Sequence, residues 1–231
     1  MIGSPEVNKV LRRHLSPVLR AHDFQKVGAR KSWSWRRSCT WIFFIRSVGS
    51  YFSGVTGWPP MSVVADLGIF FDFIPSRQPI RKDNLGRLLP MEYQCEIEFR
   101  SQLERNIDQE SSIRKLSNPA ERVRKDIWWI HPDGSNVEEV VIDISRSFVE
   151  QARPWFDRLS DLTVAFAALE RSKDCYSKYR QAIYFAKHLG FEERFQMYSK
   201  LCKPKNRSYE QKDFWIESSK KIRSNRISCS D

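Results

Sequence analysis

Glycine is sparse in this chain, nine residues in 231, and none of it is arranged as GxGxxG or as GxxxxGK followed by Ser or Thr. The one local cluster, Gly49, Gly54 and Gly57, lacks the lysine and the strand-to-helix setting of a phosphate-cradling loop. It reads as a flexible connection. Cysteine is sparse too. Cys39, Cys95, Cys175, Cys202 and Cys229 are odd in number, far apart and without a CxxC pair, which disfavours a disulfide scaffold and a zinc site. The four histidines, His14, His22, His131 and His188, include no pair at metal-ligand spacing. Long apolar runs are missing as well. A membrane helix needs roughly 18 apolar residues, and the longest candidate, Val63 to Ile74, is interrupted by Asp66 and Asp72. The first residues carry no apolar run of signal-peptide type. There is no internal repeat and no low-complexity tract. These absences lead to the expectation of a soluble, cytoplasmic protein with no cofactor and no bound metal.

What is present is a core and an uneven charge. Hydrophobic residues make up 41% of the chain and aromatics 13%, enough for one sizeable core. The formal net charge is +11. Residues 1–46 hold ten Lys or Arg against Glu6 and Asp23, and residues 203–231 hold eight against four acids, so the middle of the chain is nearly neutral. Such asymmetry suggests an acidic partner, which could be nucleic acid, an acidic protein or a membrane surface. The plainer reading is ordinary solubility.

Ser4-Pro5-Glu6 reads as a helix start, with Ser4 capping and Pro5 in the first turn. Val7, Val10, Leu11, Leu15, Val18 and Leu19 follow helical spacing, and Arg12, Arg13 and Arg20 lie on other faces. Pro17 is expected to kink or end that helix. The period then changes to two. Trp33 and Trp35 share one face of a strand, and Arg36-Arg37-Ser38 is a turn. Trp41, Phe43 and Ile45 oppose Ile42 and Phe44 on a strand apolar on both faces, hence central. After a loop over 48–60, Val63 to Phe73 alternate clearly. Tyr93, Cys95, Ile97 and Phe99 predict a half-buried strand, in which Cys95 is a buried free thiol. Residues 101–125 are highly charged and only weakly helical in pattern. Ile127-Trp128-Trp129-Ile130 predicts a short strand closed by Pro132-Asp133-Gly134. Asn136 with Glu139 predicts a capping box, and the helix it opens should stop near Pro154. Ser160 is expected to cap a further helix. Two more helices follow on either side of Gly190, and the segment from Asn206 to Arg226 is a surface helix or a disordered tail. The sum is an α+β fold: an antiparallel sheet of four to five strands packed by an N-terminal helix and C-terminal helices. The expected domains are a core over residues 1–171, a helical extension over 172–204 and a basic tail over 205–231.

Two constellations bear on chemistry. Asp66, Asp72, Glu96 and Glu98 could meet on one sheet face, where clustered carboxylates hold divalent metal in many nucleases. However, the lysine such sites usually carry two residues after an acid is absent, since Glu98 and Arg100 stand there. A solvated face is the better reading. Arg30-Lys31-Ser32-Trp33-Ser34-Trp35-Arg36-Arg37 interleaves aromatics with cations, as a base-stacking platform does, although Trp33 and Trp35 facing the core explains it more simply. No catalytic group is assigned. A triad is spatial and cannot be assembled from local sequence.

Several stretches, taken in order, resemble a bacterial family known as domain of unknown function 4304. They are the opening helix with Asp23-Phe24 and the Trp33/Trp35/Arg36 strand; Val63-Val64-Ala65-Asp66-Leu67-Gly68-Ile69; Cys95 to Arg100; Asp126-Ile127-Trp128-Trp129; and Ala152-Arg153-Pro154-Trp155-Phe156-Asp157 with the helix after it. The resemblance covers roughly residues 5–171, and departs from the family pattern at Asp66, where Asn is common. It implies a compact domain whose Trp-rich and Pro-Trp segments are core, and it carries no catalytic residues. Two functions stay open. One is a non-catalytic interaction protein, immunity-like or accessory, that binds an acidic protein partner through Arg12, Arg13, Arg20, Arg30, Lys31, Arg36 and Arg37. The other is a nucleic-acid-binding or metal-dependent nucleic-acid-processing protein.

Overall fold

The computed structural model describes residues 2–109 and 123–202. The middle of the weakly helical 101–125 stretch and the whole of the basic tail therefore lie outside the described residues. The chain divides into two compact units, Met1–Arg171 and Ser172–Asp231.

The first unit is α+β. Its five-stranded antiparallel sheet has the order β1 (Lys26–Val27), β2 (Lys31–Trp35), β3 (Cys39–Ser47), β4 (Val63–Phe71), β7 (Arg100–Gln102). The nine-residue strands β3 and β4 pair along their whole length, with Phe43 opposite Leu67. Their apolar residues on both faces put them at the centre of the sheet, and β4 is buried at every position. One face carries Trp41, Phe43, Leu67 and Ile69. Helices α1 (Ser4–Ala21), α3 (Val137–Ser147) and α4 (Arg153–Ser160) form the layer on that side. Phe148 meets Phe43 edge-on at 5.3 Å, and Phe156 stacks on Trp41 at 4.9 Å. Val7, Leu11, Leu15 and Leu19 of α1 are buried, each stabilising by about 1.5–3 kcal/mol. The other face carries Trp33, Ile42 and Phe70. It is covered by the 75–99 segment, through Ile80, Leu88, Leu89, Met91 and Cys95, which includes the small hairpin β5 (Arg81–Lys82) and β6 (Leu88–Leu89).

Several local expectations need correction. Tyr93 to Phe99 is not a strand. Two 3₁₀ turns, Glu92–Gln94 and Ile97–Phe99, stand there, and only Arg100–Gln102 pairs with β4. Arg100 decides this by turning its guanidinium onto the carbonyls of Tyr93 and Cys95, which holds the backbone in a curl. Gly68 makes room for that curl, because a Cβ there would lie 2.8 Å from the Cys95 Sγ. The loop expected at 48–60 contains helix α2 (Gly49–Thr56), bracketed by Gly49 and Gly57 at positive φ. The α1 cap is Gly3, whose N–H donates to Glu6. Pro17 is exposed and α1 runs past it to Ala21. Asn136 spends its side chain on His131 N–H and the Trp129 carbonyl rather than on the helix. The helical path does not stop near Pro154. A π turn, Phe148–Ala152, widens it just before that residue, and α4 follows. Asp161, not Ser160, caps α5 (Leu162–Arg171), accepting from Thr163 and Val164 N–H. Ile127 to Ile130 is fully buried but joins the sheet by a single bridge, Val63 to Trp128.

The second unit contains α6 (Tyr176–Leu189) and α7 (Glu192–Leu201), with Gly190 between them in the left-handed conformation. Among the described residues no helix is long and apolar enough to cross a membrane.

Candidate interaction surface

The seven cations singled out in the sequence do not form one patch. Arg12, Arg13 and Arg20 are exposed on the outer side of α1. At 100° per residue Arg13 and Arg20 fall about 40° and 20° from Lys9, with Arg12 roughly 60° to the other side. Lys9 is exposed too and completes the stripe. The sequence reading missed it, although the spacing 9, 13, 20 was available as a helical signal. Two acids stand at this surface: Glu6, exposed in the first turn of α1 about 60° from Lys9, and Glu138 of α3, which lies 2.7 Å from His14 Nε2 and 3.6 Å from Arg13. With Arg13 and Glu138 both more than half exposed, that pair contributes about 0–1 kcal/mol.

Arg30 and Arg36 are engaged internally. Arg30 donates to Asn8 at 2.7 Å and to Ser47 at 2.6 Å, tying α1 to the end of β3, and burial lowers its pKa. Arg36 folds over the Trp41 ring at 3.9 Å and pairs with Asp23 at 3.5 Å. Arg153 reaches the same carboxylate at 3.6 Å. Lys31 stays exposed, but on the opposite face of the sheet, above Phe44 at 5.1 Å. Arg37 is exposed in the β2–β3 turn.

The aromatic half of that segment is held by contacts within the fold. Trp33 is 8% exposed. Its indole donates to the Pro90 carbonyl, and that of Trp35 donates to Leu88 while Arg87 covers the ring at 3.8 Å. Trp33 is closed to a base, and half-buried Trp35 has a ring face occupied by Arg87.

The four carboxylates are also separated. Asp66 is buried, accepting from Arg46 at 3.1 Å and from Gln102 at 2.8 Å. Asp72 lies past the end of β4, Glu98 lies in the second 3₁₀ turn and Glu96 caps it, so neither is on a strand face. Among the described residues no three His, Cys, Asp or Glu side chains group as metal ligands. The buried thiols are poor nucleophiles: burial pushes Cys39 up to about 11 and Cys95 higher still.

Fold and surface together define a small α+β domain with a cationic helix face. The chain belongs to the family called domain of unknown function DUF4304, whose sequence profile matches residues 15–158. No curated protein and no solved structure matches it. The segments that carried the resemblance are structural. Trp128 is fully buried and donates to Asp143 at 2.8 Å, and Phe156 packs on Trp41.

Proposed function

We propose that this protein is a non-catalytic interaction protein, immunity-like or accessory, that binds an acidic protein partner. The observation that supports this best is the α1 stripe of Lys9, Arg12, Arg13 and Arg20, four exposed cations on one helix against two neighbouring acids, Glu6 and Glu138. Grouped charge of one sign speeds encounter with an anionic surface, an effect that falls with salt. Arg30 and Arg36 act inside the fold and serve the surface only by shaping it. An acidic protein is preferred to nucleic acid because Trp33 and Trp35, the rings a single strand would stack on, are covered.

The test uses the full chain, with a polyglutamate peptide and a short DNA duplex as probes at low and near-physiological salt. Reversing the stripe in a Lys9→Glu/Arg12→Glu/Arg20→Glu variant should weaken peptide binding at least about tenfold, or 1.4 kcal/mol, with the circular dichroism spectrum unchanged. Unchanged binding by the folded variant sinks the reading. If duplex binding is tighter and its affinity falls steeply and linearly in log salt, the partner is nucleic acid.

A further inference from the structure

Residues Ser47 to Ala65 are 19 consecutive positions without a charged side chain, in a chain that is 29% charged. Such a stretch is normally interior. Part of it is, since Trp58, Val63, Val64 and Ala65 are buried. Tyr51 and Val55, near its centre, are not. On α2, Tyr51 is 80% exposed and Val55 is 71% exposed, and the i, i+4 spacing places both on one side of the helix. Two large apolar side chains adjacent on an uncharged helix form a patch, unlike single exposed apolar residues, which are normal.

The segment that carries the patch is tied at both ends to α1, the helix of the cationic stripe. Arg30 makes the first tie: one nitrogen donates to Asn8 on α1 and another to Ser47, two residues before α2 begins. Arg12 is one turn beyond Asn8 on the same side of α1. The far end of the segment returns to α1 as well, where the Ser4 hydroxyl meets the Met61 sulfur at 3.8 Å. An apolar centre beside a charged rim is the anatomy of a protein interface, and Tyr and Arg are over-represented among residues that dominate binding energy.

We propose that Tyr51 and Val55 are the apolar anchor of the same interface whose charged rim is the α1 stripe, and that its occupant is an acidic protein segment carrying apolar side chains among its carboxylates. The proposal rests on the acidic-partner reading and adds to it where the partner's apolar groups go. Charge complementarity selects an anionic occupant, and the patch selects one that also has apolar groups to bury. The sugar-phosphate surface of a duplex lacks these.

The experiment titrates the full chain with two peptides of equal negative charge and about 20 residues, one of Glu and Gly, the other of Glu interspersed with Leu and Phe. The second should bind about tenfold tighter, equivalent to 1.4 kcal/mol, and should shift the Val55 methyl resonances. A Tyr51→Ser/Val55→Ser variant should lose the preference while still binding the Glu-Gly peptide. Equal affinity for the two peptides, or a preference that survives in the variant, overturns the anchor and leaves the acidic-partner reading standing. Failure of both peptides to bind removes that reading and the anchor with it. Vesicles of phosphatidylcholine and phosphatidylserine form the third arm. Tyr51-dependent binding to them that is tighter than to either peptide would make α2 a lipid-surface element and overturn the proposal.

Discussion

At the scale of single residues, burial sets the chemistry. Cys39 lies at the start of β3, its sulfur 3.8 Å from the Ser160 hydroxyl. Burial, the largest influence, carries its pKa up to about 11. At pH 8, three units lower, about one molecule in a thousand holds the thiolate. Cys95 is more deeply buried and is pushed higher. Cys175 is exposed at the start of α6. Iodoacetamide at pH 8 should therefore label Cys175 and spare Cys39 and Cys95 until the chain is unfolded, as read by peptide mass spectrometry. Rapid labelling of Cys39 in the native state would contradict its place in the core. Asp23 shows the same control by position. It is the sole non-glycine residue at positive φ among those described, at 66°, and its carboxylate is shared by Arg36 and Arg153. The carbonyl of the strained residue accepts from Ser34 at 2.7 Å, so the turn out of α1 is fixed from the sheet.

At the scale of elements, legibility followed periodicity. β3 and β4 could be read because aromatic and β-branched residues alternate without interruption, and α1 because its leucines recur every turn. The 92–102 segment defeated the same rule. Cys95 and Phe99 are indeed buried, but Ile97 between them is 72% exposed, since two 3₁₀ turns rather than a pleat bring them inward. The deciding contacts leave no periodic trace: Arg100 bends back onto carbonyls five and seven residues before it, and Gly68 lies under Cys95, 27 residues away. For α2, the glycines that suggested a loop are its end markers. Of the interaction surface, Arg12, Arg13 and Arg20 were visible as off-stripe helix positions. The internal roles of Arg30 and Arg36 depend on partners 22 and 13 residues away and were not. The same segment yields a pH effect. Burial raises the Glu92 carboxyl, with neighbouring Asp66 adding to it, and its Oε2 is enclosed without a partner. A raised folded-state pKa means that ionised Glu92 destabilises the fold above that value, and that the penalty fades as pH falls toward the unfolded value near 4.5. Glu92→Gln should thus raise the urea midpoint at pH 7–8 and lose that gain near pH 4. A gain that persists at pH 4 would assign the effect to packing instead.

At the scale of the whole molecule, charge is the dominant feature. A net charge of +11 acts against compactness through self-repulsion, while the exposed ion pairs offset little of it. Raising salt from low levels to about 0.3 M, where the screening length is well under 10 Å, should raise Tm by a few degrees. A fall in Tm would show that attractive pairs outweigh the repulsion. The sheet order has a consequence in time. β1 to β4 are neighbours in sequence as well as in space, so each can zip onto the one before it as the chain leaves the ribosome, and such local closure is fast. Phe148 and Phe156, which pack on Phe43 and Trp41, lie more than 90 residues further along. At about 5–20 residues per second of synthesis, β1 to β4 wait several seconds for those partners, with only α1 already made to cover that side, and this interval is when a nascent chain most needs a chaperone.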